Sequence, residues 1–397
     1  MKGLNPVFIP GPTNIPEALR HAMAAPTIDH RGPAFAEMLP SLLADLRIVF
    51  GAKNAGIVTF PSSGSGGWEA ALANTLSPGD RVLAARHGMF SHKWIDMCRR
   101  FGLDVEVIDA PWGEAAPAAE MAARLDADKA RKIKAVLVTH NETATGVTSD
   151  VGAVRAALDA AEHPALLLVD GVSSIASIPF RMDEWGVDVA VTGSQKGFML
   201  ATGLAIVAVS EKAQGAMAEA KLPRWFFDFR DMLKAGATGS YPYTPPTQLF
   251  AGLRLSTTML LEEGLDNVYA RHRRIADGVR AAIAAWGMPL CAARPEIASD
   301  TVSAVMTPPG FDANRLTAHA FNAYDVSFGV GLGDVAGKLF RIGHLGAMTD
   351  VMALSGLAAA EMAMADLGLK VELGSGVAAA QAHYRKAAAK PAERKAA

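Results

Sequence analysis

Short apolar, β-branched runs recur between residues 57 and 209: Ile57-Val58-Thr59-Phe60, Val82-Leu83, Val105-Glu106-Val107-Ile108, Ala135-Val136-Leu137-Val138, Leu166-Leu167-Leu168-Val169, Val187 to Val191, and Leu204 to Val209. Several are apolar on both faces. Such strands are covered by helices on each side, as in a parallel sheet, because an open antiparallel sheet alternates polar and apolar positions. Helical stretches separate the runs. Val151, Val154, Ala157, Leu158 and Ala161 share one face of a stretch ending near His163, and Asp150 precedes it as N-cap. Alternating strand and helix implies an α/β architecture with right-handed crossovers.

The rhythm changes after about residue 260, where Leu265, Val268, His272, Ile275, Val279, Ile283 and Trp286 give one long amphipathic helix. Weaker strand candidates follow at Val302 to Met306, Val326 to Phe328 and Leu339 to Ile342, then a helix from about Val351 to Asp366. The expected division is an N-terminal arm at 1–16, a large domain at 17–260, a small α+β domain at 261–386 and a flexible Ala/Lys-rich tail at 387–397. A length of 397 residues suits it, at roughly 150 residues per domain.

Thirty-eight Lys+Arg against 40 Asp+Glu leave a net charge of −2 with no concentrated basic face, so no nucleic-acid partner is expected. No apolar run approaches the ~18 residues of a membrane helix, and the first residues lack a secretory pattern. Two cysteines, Cys98 and Cys291, lie far apart, which fits a reducing compartment better than a disulfide scaffold. The final Lys395-Ala396-Ala397 is not a peroxisomal Ser-Lys-Leu, so the expected location is the cytoplasm.

Ser62-Ser63-Gly64-Ser65-Gly66-Gly67-Trp68-Glu69-Ala70 follows a strand and opens a helix. Backbone N–H groups at such a point suit a phosphate, and a tight strand–helix connection is the plain alternative. The loop lacks the Gly-Lys-Ser/Thr of a P-loop, and Glu69 stands where a dinucleotide fingerprint has Gly or Ala. Gly331-Leu332-Gly333-Asp334-Val335-Ala336 matches that fingerprint better but lies outside a strand–helix unit, and reads as a flexible loop.

Asp170 ends an apolar strand, either as a cap of the junction or as a carboxylate that needs a cation or strong donor opposite. Lys196, in Thr192-Gly193-Ser194-Gln195-Lys196-Gly197, also follows an apolar strand. Ligands of open α/β sheets bind at the carboxyl ends of strands, so loop, acid and amine converge on one crevice. A phosphate cradle, a lysine amine and a carboxylate for a pyridine nitrogen are what pyridoxal 5'-phosphate requires.

With these residues in place, the chain resembles the class V aminotransferases of the pyridoxal-phosphate fold-type I superfamily, in particular the alanine/serine–glyoxylate group. The likeness runs through almost the whole chain. It includes Pro10-Gly11-Pro12-Thr13-Asn14-Ile15-Pro16, the Gly64 loop, Thr139 to Val147, Val169 to Ser174, Gly193-Ser194-Gln195-Lys196, Tyr241-Pro242-Tyr243-Thr244-Pro245-Pro246 and Phe340 to Gly346. It implies a large domain with a mostly parallel seven-stranded sheet between helices, plus a smaller α+β C-terminal domain. Lys196 is then the Schiff-base lysine and proton carrier, and Asp170 the partner of the pyridinium N–H. Ser65, Gly66, Gly67 and Gln195 would bind the phosphate, Thr143 the ring hydroxyl, and Ser174 completes the cofactor set. Phe90 falls where an aromatic residue stacks on the cofactor, core packing being its alternative. Arg341 would clamp the substrate α-carboxylate. Tyr241 and Thr244 would reach the phosphate of a neighbouring subunit's cofactor, implying a homodimer with shared active sites.

The resemblance implies transfer of an amino group from a small amino acid to glyoxylate, with serine the first donor and aspartate or alanine the others. Aspartate would want a second cation, for which Arg31, Arg224 and Arg230 are candidates. A cysteine desulfurase or other lyase of the same fold, an NAD-dependent dehydrogenase and a non-catalytic cofactor-binding protein are the competing readings. His140-x-Glu142 lacks the Cys pair of a zinc deaminase, so no metal is expected. His30, His87 and His344 read as structural.

Overall fold

The computed structural model describes residues 6–388. Among them, strands β1 (Val7–Phe8), β2 (Gly56–Ser62), β3 (Arg81–Arg86), β4 (Asp104–Asp109), β5 (Ile133–Thr139), β6 (Asn141–Glu142), β7 (Val147–Thr148), β8 (Leu166–Asp170), β9 (Val189–Gly193), β10 (Gly203–Val209), β11 (Val302–Met306), β12 (Ser327–Val330) and β13 (Leu339–Gly343) form three sheets. The seven-stranded sheet has the order β2-β10-β9-β8-β5-β3-β4.

Its strands are apolar on both sides because each side meets its own core. Leu167, Val169, Ala190 and Ile206 face one core, and Leu168, Val189, Val191 and Val207 face the other. Each such buried side chain contributes about 1.5–3 kcal/mol, so the alternating residues hold both helical layers. Strands β4, β3, β5, β8 and β9 run parallel, whereas β10 is antiparallel to both β9 and β2. The connection 194–202 is too short for a parallel crossover, which takes a dozen or more residues. The carboxyl ends of β2, β5, β8 and β9 therefore lie at one edge of the sheet, together with the start of β10: Gly203 pairs with Ser62, and Asp170 pairs with Thr139 and Val191.

The second sheet has the order β1-β12-β13-β11. The segment expected as an arm thus supplies a strand: Val7 pairs with Ser327, and Phe8 is buried with Phe328, Ile342 and Leu357. Helix Thr247–Glu263 ends at Gly264, whose φ of +82° turns the chain into helix Leu265–Ala285. The latter helix joins the two bodies, with Val268 in the large core and Ile275, Val279 and Ile283 in the small one.

Helix Ser375–Ala388 takes up the first two residues of the expected tail, anchored by the buried Tyr384, and residues 389–397 lie outside the described part. The Gly331 segment contains the 3-10 turn Gly333–Val335 rather than an open loop. Trp112 packs there so closely that a Cβ on Gly333 would lie 2.5 Å from its ring.

Candidate active site

At the carboxyl edge of the large sheet lies a cavity of about 220 Å³ whose wall includes Ser63, Gly64, Ser65, Phe90, Gln195 and Lys196. Lys196 is buried between Gln195 and Gly197, and its amine donates to the carbonyl of Pro10. Burial and, after it, the Arg341 charge bring its pKa down to about 8, with Asp170 opposing both. Asp170 is buried at the end of β8 and accepts from the Val172 N–H at 3.0 Å. Burial pushes its carboxyl up to about 7, against the pull of that N–H and of the lysine.

The glycine loop divides its work differently from the expectation. Ser63 is the N-cap of helix Gly64–Thr75, and the N–H groups of Gly66 and Gly67 donate to the Ser63 carbonyl at 2.9 and 3.2 Å. A Cβ on Gly66 would lie 2.0 Å from Ser62 Oγ, and one on Gly67 would lie 2.5 Å from Val191. These two glycines let the helix press against the sheet. The cavity wall is made by Ser63, Gly64 and Ser65, where the first turn of a helix has no internal acceptor for its N–H groups. Gln195 Oε1 is buried there without a hydrogen-bond partner among the described residues.

Phe90 lines the cavity at the start of helix Met89–Arg100 and meets Trp68 edge-on at 6.5 Å, and Trp68 in turn stacks on Trp94 at 5.7 Å. Thr143 is buried, and its hydroxyl donates to Ser173 Oγ at 2.9 Å rather than facing the cavity. Ser174 Oγ is buried in the turn after β8 and has no partner among the described residues. Arg341, in mid-β13, reaches across from the small sheet: Nε donates to Val330 O at 2.9 Å and Nη1 to Thr143 O at 3.1 Å. Burial lowers its pKa to about 10, and Glu142 pulls the other way.

Tyr241 and Thr244 do not reach their own chain's cavity. Tyr241 Oη donates to Thr59 O at 2.5 Å, and Thr244 is exposed. Residues without a sequence-assigned role also line it, among them Gly11 and Pro12, Trp68, Val172 and Thr202. A Cβ on Gly11 would fall 2.6 Å from Lys196 Nζ, so the absence of a side chain there is a condition for the lysine's path. The Pro-Gly-Pro pattern was the available signal. Trp68 and Thr202 carry none, since only the tertiary fold brings them to the wall.

Other expectations resolve as structure. His140 packs edge-on against Trp185, and burial lowers its pKa to about 4, while Glu142 turns to helix Met89–Arg100. His344 sits between Ser303 Oγ and the Asp300 carbonyl at 3.0 and 3.1 Å. His87 is buried with its pKa lowered by burial, and His30 Nε2 is buried without a partner among the described residues. Burial raises the thiol of Cys98 to about 12 and that of Cys291 to about 11, the opposite of an activated sulfur acceptor.

A buried amine and a helix N-terminus in the wall of one cavity, with a buried carboxylate near enough to act on the amine's charge, all at the strand ends of this sheet, are the features of a fold-type I pyridoxal-phosphate enzyme. The sequence model of the class V aminotransferases matches residues 16–319. The chain belongs to that family and is a pyridoxal-phosphate-dependent aminotransferase. It is 63% identical over 397 residues to the L-aspartate–glyoxylate aminotransferase of Paracoccus denitrificans, covering 100% of each chain. It is 55% identical over 388 residues to the serine–glyoxylate aminotransferase of Hyphomicrobium methylovorum, covering 97% of this chain and 96% of that one. The crystal structure of ureidoglycine–glyoxylate aminotransferase from Bacillus subtilis superposes with a TM-score of 0.90 at 25% identity, covering 97% of this chain and 99% of that one.

The residues present fit the cofactor. Lys196 would provide the amine, Asp170 the partner for a ring N–H, Phe90 an apolar face, and the helix start at Ser63 to Ser65 the N–H donors for the phosphate, with the Gln195 side chain in the same wall.

Proposed function

We propose that this enzyme moves the amino group of a small amino acid to glyoxylate, forming glycine and a 2-oxo acid, in a homodimer whose active sites each draw on two chains. The observation that carries the reading is the burial of Lys196 in the cavity wall, with the buried Asp170 and Arg341 near enough to act on its charge from opposite directions. Bound pyridoxal phosphate supplies the electron sink for the bond broken at the substrate's α-carbon. Lys196, with a pKa near 8, is uncharged in an appreciable fraction near neutrality and takes the α-proton on Nζ. Asp170 holds the ring N–H, and the Arg341 fork orients the substrate carboxylate.

The donor is placed as L-aspartate first and serine second, reversing the order read from the motifs, because the aspartate-type relative shares more of the sequence. Of the three arginines considered for a second carboxylate, two are committed elsewhere. Arg224 donates to the carbonyls of Ala73, Ala220 and Met217, and Arg230 forms a fork with Asp228. Arg31 is exposed and its guanidinium has no partner among the described residues, so we assign it the side-chain carboxylate, presented by the second copy. Two observations support the dimer: Tyr241 and Thr244 face away from their own cavity, and Trp225, 74% exposed, packs on Tyr243 beside them. Both cysteines are free thiols, in keeping with a cytoplasmic location.

The test is glycine formation from glyoxylate with aspartate, serine and alanine in turn. Turnover with none of them overturns the proposal. Arg31→Ala is expected to cut kcat/KM for aspartate at least about tenfold more than for serine, the range of one charge-assisted contact, and equal losses remove Arg31 from the pocket.

A further inference from the structure

Residues 88–91 and 141–144 are distant in the chain, and one side chain joins them. Glu142 is fully buried, 0% exposed. Its Oε2 accepts from the N–H of Phe90 at 3.0 Å, the N–H of Ser91 at 2.9 Å and Ser91 Oγ at 3.2 Å. Oε1 accepts from the N–H of Phe90 at 3.2 Å and of Ala144 at 3.1 Å. Every one of these contacts is a donor meeting a carboxylate oxygen.

The arrangement has a local cause. Helix Met89–Arg100 begins after Gly88, which has no side chain to cap the free N–H groups of the first turn. A side chain at 88 would also occupy the acid's place, since a Cβ there would fall 2.2 Å from Glu142 Cγ. The cap therefore comes from across the site, and the positive end of the helix favours a carboxylate. The capped turn carries Phe90 into the cavity wall, and the residue after Glu142 carries the carbonyl that Arg341 Nη1 donates to. One carboxylate thus ties the aromatic wall to the turn on which the substrate-facing arginine rests.

We propose that Glu142 is a positioning residue that sets Phe90 against the face of the bound pyridoxal ring, acting through the N–H groups of Phe90 and Ser91. The inference rests on the cavity being the pyridoxal-phosphate site. Glu142→Gln keeps the size of the side chain but leaves one acceptor oxygen and turns an NH₂ toward N–H donors. Either the helix start or Ala144 then loses its partner.

The experiment titrates cofactor-free protein with pyridoxal phosphate, following tryptophan quenching and the cofactor's absorption band. Wild-type binding is the control: its failure overturns the functional reading, whereas wild-type binding with an indifferent variant overturns only the role of Glu142. Glu142→Gln is expected to bind about tenfold more weakly or worse, the scale of one lost charge-assisted hydrogen bond. If it acts through Phe90, Glu142→Gln combined with Phe90→Ala binds within about twofold of Phe90→Ala alone, the non-additivity of coupled sites. Unchanged affinity and spectrum in Glu142→Gln, or losses that multiply in the double variant, overturn the proposal. Ser91→Ala removes one donor to Glu142, together with the acceptor of the His87 and Gly88 N–H groups, and serves if Glu142→Gln does not fold. It is expected to weaken binding by about two- to fivefold, a fraction of the full cap, and wild-type affinity there also overturns the proposal.

Discussion

Arg341 Nη1 donates to the carbonyl of Thr143 at 3.1 Å, so the small sheet places its cation directly on a turn of the large domain. Nε is fixed at the same time on Val330 O, which leaves the outer edge of the guanidinium as the fork for a carboxylate. Arg341→Lys keeps a charge but has one point of donation for these tasks. The expected result is a fall in kcat/KM of about 100-fold for every amino donor, while pyridoxal-phosphate affinity stays within about threefold. Steady-state kinetics with two donors, plus a cofactor titration, check it.

Asp170 gives a pH-dependent expectation. Its folded pKa, about 7, lies above the ordinary 3.8, mainly through burial. Its contribution to stability is therefore complete below pH 3.8 and is lost as pH rises from there to about 7, at up to about 1.4 kcal/mol per pH unit. Asp170→Asn removes that loss and keeps an acceptor for the Val172 N–H. Without cofactor, the variant is expected to match wild type near pH 4 and to exceed its melting temperature at pH 7 to 8, while transamination drops. A wild-type melting curve at pH 7.5, with no gain in the variant, would refute this assignment of strain to the acid.

Gly11 governs the lysine. Its φ of +103° and a would-be Cβ 2.5 Å from the Lys196 side chain leave room for no other residue. Gly11→Ala should reduce kcat at least about 100-fold and shift the cofactor absorption, because a misplacement of about 1 Å at a reacting group has that consequence. The fold should persist, which far-ultraviolet circular dichroism would verify.

Far from the site, Glu361 is 2% exposed and accepts from Trp286 Nε1 at 2.9 Å and from the N–H groups of Gly374, Gly376 and Val377 at 2.7, 2.6 and 3.2 Å. It caps helix Ser375–Ala388 from within the small core. Glu361→Ala leaves these buried donors without an acceptor, at about 1–3 kcal/mol for each that stays dry. A drop of several degrees in melting temperature with kcat/KM at 20 °C within about twofold is the expected pair of results.

Much of this arrangement was legible because it lies at strand ends. Asp170 and Lys196 each follow a run buried on both faces, so residue type and position sufficed to bring them to one edge. The reversal of β10 was hidden because an apolar run reads alike in either direction. Gly66 and Gly67 read as phosphate binders because composition does not reveal whether a glycine offers its N–H to a ligand or its bare Cα to a neighbour; the fold shows the close approach, with both N–H groups turned to the Ser63 carbonyl. Thr143 read as a partner of the ring hydroxyl, whereas its own hydroxyl turns to Ser173, a contact set by the β6–β7 ribbon rather than by any local spacing. Glu142 stood out only as half of an incomplete zinc pattern. Its partners Phe90 and Ser91 lie 52 and 51 positions away, beyond any periodicity.

The pairing of Val7 with Ser327 makes the order of synthesis matter. Translation at about 5–20 residues per second exposes the first strand on the order of tens of seconds before its neighbour leaves the ribosome. Every strand of the central sheet is available by Val209, so that layer can assemble while the remainder is still being made. Pro10 and Gly11, which border the lysine, gain their fixed place only once β12 and β13 have emerged. Nascent chains stalled before Ser327 would therefore carry the Lys196 amine beside an unfinished wall, and the pocket closes only after β13 has left the ribosome.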